Sequence, residues 1–168
     1  MAATTSSASR RVALITGGTR GIGLGIAKEM VRDGYTDLVL GYNSDSEAAA
    51  KAKSLLEQMP GVHVECVGGD LSKKESMRAL FQCVKDKFDN QLEAFVHNAG
   101  LYIGITSTSD SQPKTRDDFE DTWPYYYQVY VLAFKRGLEH ALKCQGLKHV
   151  VAVSGQGCNC NSVRDQVI

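Results

Sequence analysis

The sequence has no surplus charge of either sign: 19 Lys and Arg stand against 19 Asp and Glu in 168 residues. That balance offers no basic surface, so neither nucleic acid nor an anionic membrane is an expected partner. Long apolar runs are missing too; nothing approaches the roughly 18 residues of a membrane span. The cysteines number five (66, 83, 144, 158 and 160), odd and scattered, which argues against a disulfide framework and fits a reducing compartment. Cys158 and Cys160 are close together, but no second pair and no nearby histidine completes a metal site, and none is expected. The leader MAATTSSASRR has no acid and no apolar h-region. A cytoplasmic protein with a disordered tail over residues 1–10 is the expectation, with organellar import as the alternative.

The remaining composition, 43% hydrophobic and 23% charged, suits one globular domain with a full core. Five apolar runs read as strands: Val12–Thr16, Leu38–Tyr42, Val62–Val67, Ala94–His97 and His149–Ser154. Helical patterns lie between them, at about Gly21–Arg32, Asp45–Gln58, Ser72–Phe88 and Asp117–Lys143. Ser72 and Glu75 have capping-box spacing. Strand–helix alternation predicts an α/β fold, a doubly wound parallel sheet covered on both faces. The domain is expected over 11–155. Residues 101–116 form a long polar loop of the kind that often serves as a lid, and 156–168 read as an irregular tail. The fifth strand, Val150–Val153, is apolar throughout and suited to burial on both faces.

The densest signal is Arg11–Met30, RVALITGGTRGIGLGIAKEM. A buried strand ends at Thr16, glycines follow at 17, 18, 21, 23 and 25, and a helical pattern continues through Ile22, Ile26 and Met30. Such a turn gathers backbone N–H groups and a helix N-terminus at one point, a site for phosphate. Gly17 permits the sharp exit from the strand, Gly21 lets a pyrophosphate approach the backbone, and Gly23 lets helix and strand pack closely. No G-K-[ST] follows Gly18, so this is not a mononucleotide P-loop.

A dinucleotide binder that prefers NAD carries an acid at the end of its second strand for the ribose 2′-OH. Here that place reads Gly41-Tyr42-Asn43-Ser44; Asp37 is at the wrong end and Asp45 lies beyond. Arg20 adds positive charge near the same ribose. The combination favours a 2′-phosphate held by Arg20, Asn43 and Ser44, hence NADP over NAD. A solvated loop charge is the competing reading of Arg20.

Three segments in order, TGGTRGIG at 16–23, Asp70-Leu71 after the third strand and His97-Asn98-Ala99-Gly100 after the fourth, resemble the short-chain dehydrogenase/reductase family over roughly residues 11–155. The resemblance implies a Rossmann sheet and a cofactor site built from Thr16, Gly17, Thr19, Arg20, Gly21, Ile22, Gly23, Asn43, Ser44, Asp70, Leu71, Asn98, Ala99 and Gly100. Asp70 would lie near the adenine amino group, and Asn98–Gly100 would pack against the sheet beside the cofactor. It implies hydride transfer between a carbonyl and an alcohol on a small-molecule substrate.

The same resemblance implies a catalytic tyrosine with a lysine four residues on, whose charge lowers the tyrosine pKa. None of the seven tyrosines has such a lysine. Ser154 is the candidate for the substrate-binding serine, although Gly155 occupies the usual slot; capping of local backbone is the alternative. The family asparagine of the fourth helix falls on Tyr130, in a cluster with Tyr125, Tyr126 and Tyr127 that also suits packing. His97 reads as a packed strand-end residue. The expectation is therefore an NAD(P)H-dependent oxidoreductase truncated before its Tyr-x-x-x-Lys segment and inactive alone. The alternatives are a non-catalytic NADPH-binding module, or a regulatory partner that pairs with a longer relative. An exposed fifth strand would make the chain alone oligomeric or poorly soluble.

Overall fold

The structure, a computed structural model, describes residues 10–100 and 123–154. The leader 1–9, the polar loop 101–116, the first residues of the expected fourth helix, and the tail with Gly155, Cys158 and Cys160 lie outside them. In chain order the elements are β1 (Val12–Thr16), α1 (Gly21–Arg32), β2 (Asp37–Tyr42), α2 (Ser46–Leu56), β3 (His63–Gly68), α3 (Lys74–Phe88) and β4 (Ala94–His97). A π-helical segment (Tyr127–Leu132), α4 (Ala133–Ala141) and β5 (His149–Ala152) follow. The strands make one parallel sheet ordered β3-β2-β1-β4-β5, the doubly wound arrangement expected from the alternation.

Strand alternation explains why β1 is apolar at every position. Val12 and Leu14 point to one face, where they join Val39, Phe95, Met77, Leu80, Phe88 and Ala133. Ala13 and Ile15 point to the other, with Leu38, Leu40, Val96, Ala27 and Leu56. With α1 and α2 on one side and α3 and α4 on the other, no position in β1 faces water. Each fully buried large side chain, such as Phe88, Phe95 or Leu14, stabilises the fold by about 2–3 kcal/mol relative to exposure. α4 seats close on β4 because Gly137 has no side chain: a Cβ there would lie 2.3 Å from Phe95 Cζ.

Four local expectations are corrected. The inner stripe of α1 is Gly23, Ala27 and Val31, while Ile22 is 71% exposed; small residues at 23 and 27 let the helix lie against the sheet, and Ile22, one position round, is left at the mouth of the crevice. α3 starts at Lys74 with Lys73 as an uncapped N-cap; Ser72 stands one position too early to cap it, with its N–H donating to Asp70 Oδ1 at 2.9 Å in an Asx turn and its side chain bonded to the same carboxylate. The fourth helical run is not a uniform α-helix. Residues 123–126 are helical, the π-helical segment then widens the ladder, and α4 ends at Ala141. Finally, β5 stops at Ala152 and is exposed along its length, since nothing among the described residues pairs with its outer edge.

Candidate dinucleotide site

The chain winds outward from β1 to β3, then returns to β4 on the far side of β1. The crevice between the carboxyl ends of β1 and β4 is thus the switch point where open α/β sheets bind ligands. Thr16 ends β1 there and His97 ends β4, level with each other in the register.

Thr16 is fully buried. Its hydroxyl oxygen accepts from the backbone N–H of Asn98 at 3.1 Å and of Ala99 at 3.0 Å. Both lone pairs are then used, so the hydroxyl proton donates to His97 Nδ1 at 3.3 Å. That makes Nδ1 an acceptor and puts the ring proton on Nε2, which donates to the Val129 carbonyl at 3.2 Å. Burial pushes the His97 pKa below its ordinary value, against the smaller opposing pull of the Val129 carbonyl, so the ring is neutral. Asn98 completes the junction: Nδ2 donates to the carbonyls of Thr16 and Gly17, both at 3.1 Å. The reading of His97 as a packed residue missed this link between β1, β4 and the π-helical segment; a buried strand-end histidine beside a threonine was the available signal.

These bonds hold the glycine turn. Gly17 has φ +65° and Gly21 φ +53°, both in the region that favours glycine. The Gly18 N–H donates to the Gly41 carbonyl at 3.0 Å, tying the turn to β2. A Cβ on Gly23 would lie 2.0 Å from the Gly17 carbonyl oxygen, whereas one on Gly21 would meet nothing within 4 Å. The turn is therefore packed on its inner side and open on its outer side. α1 begins at that open side with no side-chain cap and no acid in its first turn, leaving first-turn N–H groups to an external acceptor. Thr19 is buried beneath the turn, and Arg20 is exposed at its rim.

Asn43 and Ser44 are exposed just after β2, on the same rim. Asp45 comes closer to Arg20 than the sequence implies. It caps α2, accepting from the Ala48 N–H at 2.9 Å, and its other oxygen lies 3.9 Å from Arg20 Nη1. Asp37, at the far end of β2, is paired with Arg10 and faces His63.

Asp70 stands after β3. Oδ1 accepts from the Ser72 N–H and, at 3.2 Å, from the Tyr125 hydroxyl. Burial alone would raise the Asp70 pKa, but these bonds outweigh it and hold the carboxyl below its ordinary range. The Leu71 side chain turns into the core, so only its backbone borders the crevice. Tyr130 covers Gly100, where a Cβ would lie 2.6 Å from the tyrosine hydroxyl, and it stacks on Tyr126. Ser154 is exposed beyond β5, two residues past the level of His97 in the sheet. Among the described residues no group of three or more His, Cys, Asp or Glu converges as a metal site. No described helix is long and apolar enough to cross a membrane. The described thiols are free and their pKa values are raised by burial, that of Cys66 to about 11.

Known proteins share this arrangement. Human polyprenol dehydrogenase is 35% identical over 122 residues, 73% of this chain and 34% of that protein. Glucose 1-dehydrogenase 2 of Bacillus subtilis is 27% identical over 161 residues, 94% of this chain and 56% of that protein. Among solved structures, an alcohol dehydrogenase from the archaeon Thermococcus sibiricus in complex with 5-hydroxy-NADP superposes with a TM-score of 0.63 at 31% identity. The match covers 81% of this chain and 53% of that one. A short chain dehydrogenase from Burkholderia cenocepacia J2315 in complex with NADP gives 0.67 at 28% identity, over 85% and 54%. The chain thus spans between a third and somewhat over half of these curated relatives. The family model described as short chain dehydrogenase matches residues 11–162, and with nearly the whole chain inside that match, this protein belongs to the short chain dehydrogenase family.

Proposed function

We propose that this chain holds NADP(H) for the carbonyl–alcohol oxidoreductase chemistry of its family. The observation that carries the proposal is the glycine turn: an uncapped helix N-terminus, open outward at Gly21 and fixed inward by the Thr16–Asn98 junction. The N–H groups of Gly21, Ile22 and Gly23 would hold the pyrophosphate. Arg20, Asn43 and Ser44 would hold the ribose 2′-phosphate, Asp70 and the Leu71 backbone the base, and Asn98–Gly100 would line the nicotinamide side. A bound nicotinamide dinucleotide supplies the hydride. The buried junction keeps the turn in register without a ligand, so little reorganisation accompanies binding.

Arg20 faces one carboxylate, Asp45, and both are exposed. A doubly charged phosphate attracts Arg20 more strongly than that single screened partner, which supports NADP over NAD. Relatives solved with NADP or an NADP derivative support the same choice. The family's Tyr-x-x-x-Lys pair has no counterpart in these 168 residues. The chain by itself is therefore expected to bind cofactor without turnover, with Ser154 as the candidate for substrate contact among the described residues. The Tyr130 side chain, over Gly100 where the family resemblance implies an asparagine, favours a second reading as a non-catalytic NADPH-binding module.

Titration of the purified chain with NADPH and NADH, read by cofactor fluorescence, tests the proposal. Binding of NADPH about tenfold tighter than NADH is expected, with most of that preference lost in Arg20→Ala. Tighter NADH binding, or no dinucleotide binding, overturns it. An absorbance assay with a panel of carbonyl substrates separates the two readings: turnover by a longer form carrying the Tyr/Lys pair supports the oxidoreductase, and a verified stop after residue 168 supports the module.

A further inference from the structure

His97 is a buried titratable side chain wedged between the floor of the crevice and the π-helical segment. Its surroundings are neutral. β1 presents Thr16, and β5 presents Ala152 beside it in the register. The rings of Phe95 and of Phe134 in α4 lie 6.4 and 5.7 Å from its own. The π-helical segment presents the Val129 carbonyl. No charged side chain from these elements acts on the ring; burial and the Val129 carbonyl set its titration.

The hydrogen bonds leave the ring one protonation state. With its proton on Nδ1 alone, Nε2 would turn a lone pair toward the Val129 carbonyl. With both nitrogens protonated, the Nδ1 proton would point at the Thr16 hydroxyl oxygen, whose two lone pairs already accept from the Asn98 and Ala99 N–H groups. The added proton must go without an acceptor or displace one of those N–H groups. A buried donor left unpaired costs about 1–3 kcal/mol. Thr16 leads into the glycine turn, and Asn98 and Ala99 open the segment after β4. A proton on His97 therefore works to part the two sides of the crevice floor.

Resting on the dinucleotide reading above, we propose that His97 is a positioning residue whose neutral ring keeps the Thr16 junction closed, so that dinucleotide binding selects the unprotonated ring. His97 acts through Thr16, Asn98 and Ala99 and does not itself touch the ligand. Affinity then falls as pH drops through the folded His97 value, which burial holds below the ordinary 6.5. Below that value the loss approaches about tenfold per pH unit, and binding expels the proton.

The test measures the dissociation constant of NADP⁺ for the full chain at about pH 7.5 and about pH 5.5 by titration calorimetry, at a temperature where circular dichroism shows the chain folded at both. The ligand's own 2′-phosphate titrates near pH 6, at about the value of other phosphate monoesters, and does so against every variant. The quantity compared is therefore the ratio of the two constants, in the wild-type chain and in His97→Asn, whose amide can accept from the Thr16 hydroxyl but takes up no proton. The wild-type ratio is expected to exceed the variant's by about fivefold. Heats recorded in two buffers of different ionisation enthalpy should show more protons released by the wild-type chain at the lower pH. Equal ratios in the two proteins overturn the proposal, because a merely structural role shifts both constants alike. His97→Gln, equally unable to titrate, replaces His97→Asn if that variant fails to fold. Binding with equal ratios sinks the His97 proposal and leaves the dinucleotide reading standing; no NADP⁺ binding at either pH sinks both.

Discussion

A methyl group added at Gly23 would lie 2.0 Å from the Gly17 carbonyl oxygen and 2.6 Å from Asn98 Nδ2. The first atom is backbone and the second is committed to two carbonyls, so neither can yield. Gly23→Ala is expected to destabilise the fold by about 3 kcal/mol and to abolish NADPH binding. Gly25, two residues on, has nothing within 4 Å of the same added atom. Gly25→Ala should stabilise by about 0.5–1 kcal/mol through helix propensity. Urea unfolding of the pair measures both. His97 adds a pH dependence at this scale. Its folded pKa is depressed by burial below the ordinary 6.5, so below that pH the unfolded chain binds a proton that the folded chain refuses. Stability should be full above about pH 6.5 and fall as pH drops through it. His97→Asn should flatten the melting temperature between pH 6.5 and 5 without abolishing the slope, since burial and Lys143 lower the pKa of His140 too.

The elements divide by how far their residues carry their own reasons. β1, β2 and β4 were legible because apolar side chains on both faces leave a continuous run, and the run is the strand. α2 was legible as a helical run opening at Asp45, which the structure shows capping it. The start of α3 was not, because Ser72 and Glu75 have capping-box spacing yet Asp70, two residues before Ser72, engages both its N–H and its side chain and the helix starts later, after Lys73. The π-helical segment was invisible, since a one-residue widening leaves no composition of its own, and its bond to β4, from His97 to the Val129 carbonyl, spans 32 residues. β5 carries this scale's prediction. Val150 and Val151 are 39% and 46% exposed on a parallel strand whose outer edge nothing among the described residues pairs, the kind of strand that pairs with another chain. The chain should show the mass of a dimer or larger by light scattering. Val151→Lys should shift it toward monomer with little change in melting temperature. A monomeric wild-type chain would count against edge pairing.

For the whole molecule the two ends of the sheet have different tasks. The carboxyl end holds the glycine turn, Asp70 and Asn98. The amino end is tied by Arg11, whose Nε and Nη2 donate to both oxygens of Glu93 just before β4, with Lys148 near the same carboxylate. Arg11 also lies 4.1 Å over the Tyr35 ring. The hydrogen bonds from Arg11 hold the Glu93 carboxyl below its ordinary range. The stability they confer is full above the unfolded carboxyl value, about 4.5, and is lost as pH falls through the lower folded one. Arg11→Met should cost about 1–2 kcal/mol at pH 7, between an exposed and a fully buried pair. It should leave the NADPH dissociation constant unchanged, as denaturation and titration together would show. The doubly wound parallel sheet followed from the strand–helix alternation and the motif order. The links across it did not, because Thr16 to His97 and Tyr125 to Asp70 join residues 81 and 55 positions apart.

The Thr16 junction has one more consequence. Its hydroxyl proton and the Nε2 proton of His97 are each enclosed between a donor and an acceptor in the interior. Protons so held exchange with solvent only when the surrounding structure opens. They would stand as two slowly exchanging resonances in a nuclear magnetic resonance spectrum, at frequencies where few other protons absorb. The lifetime of those signals measures how often the floor of the crevice comes apart, with or without a ligand above it.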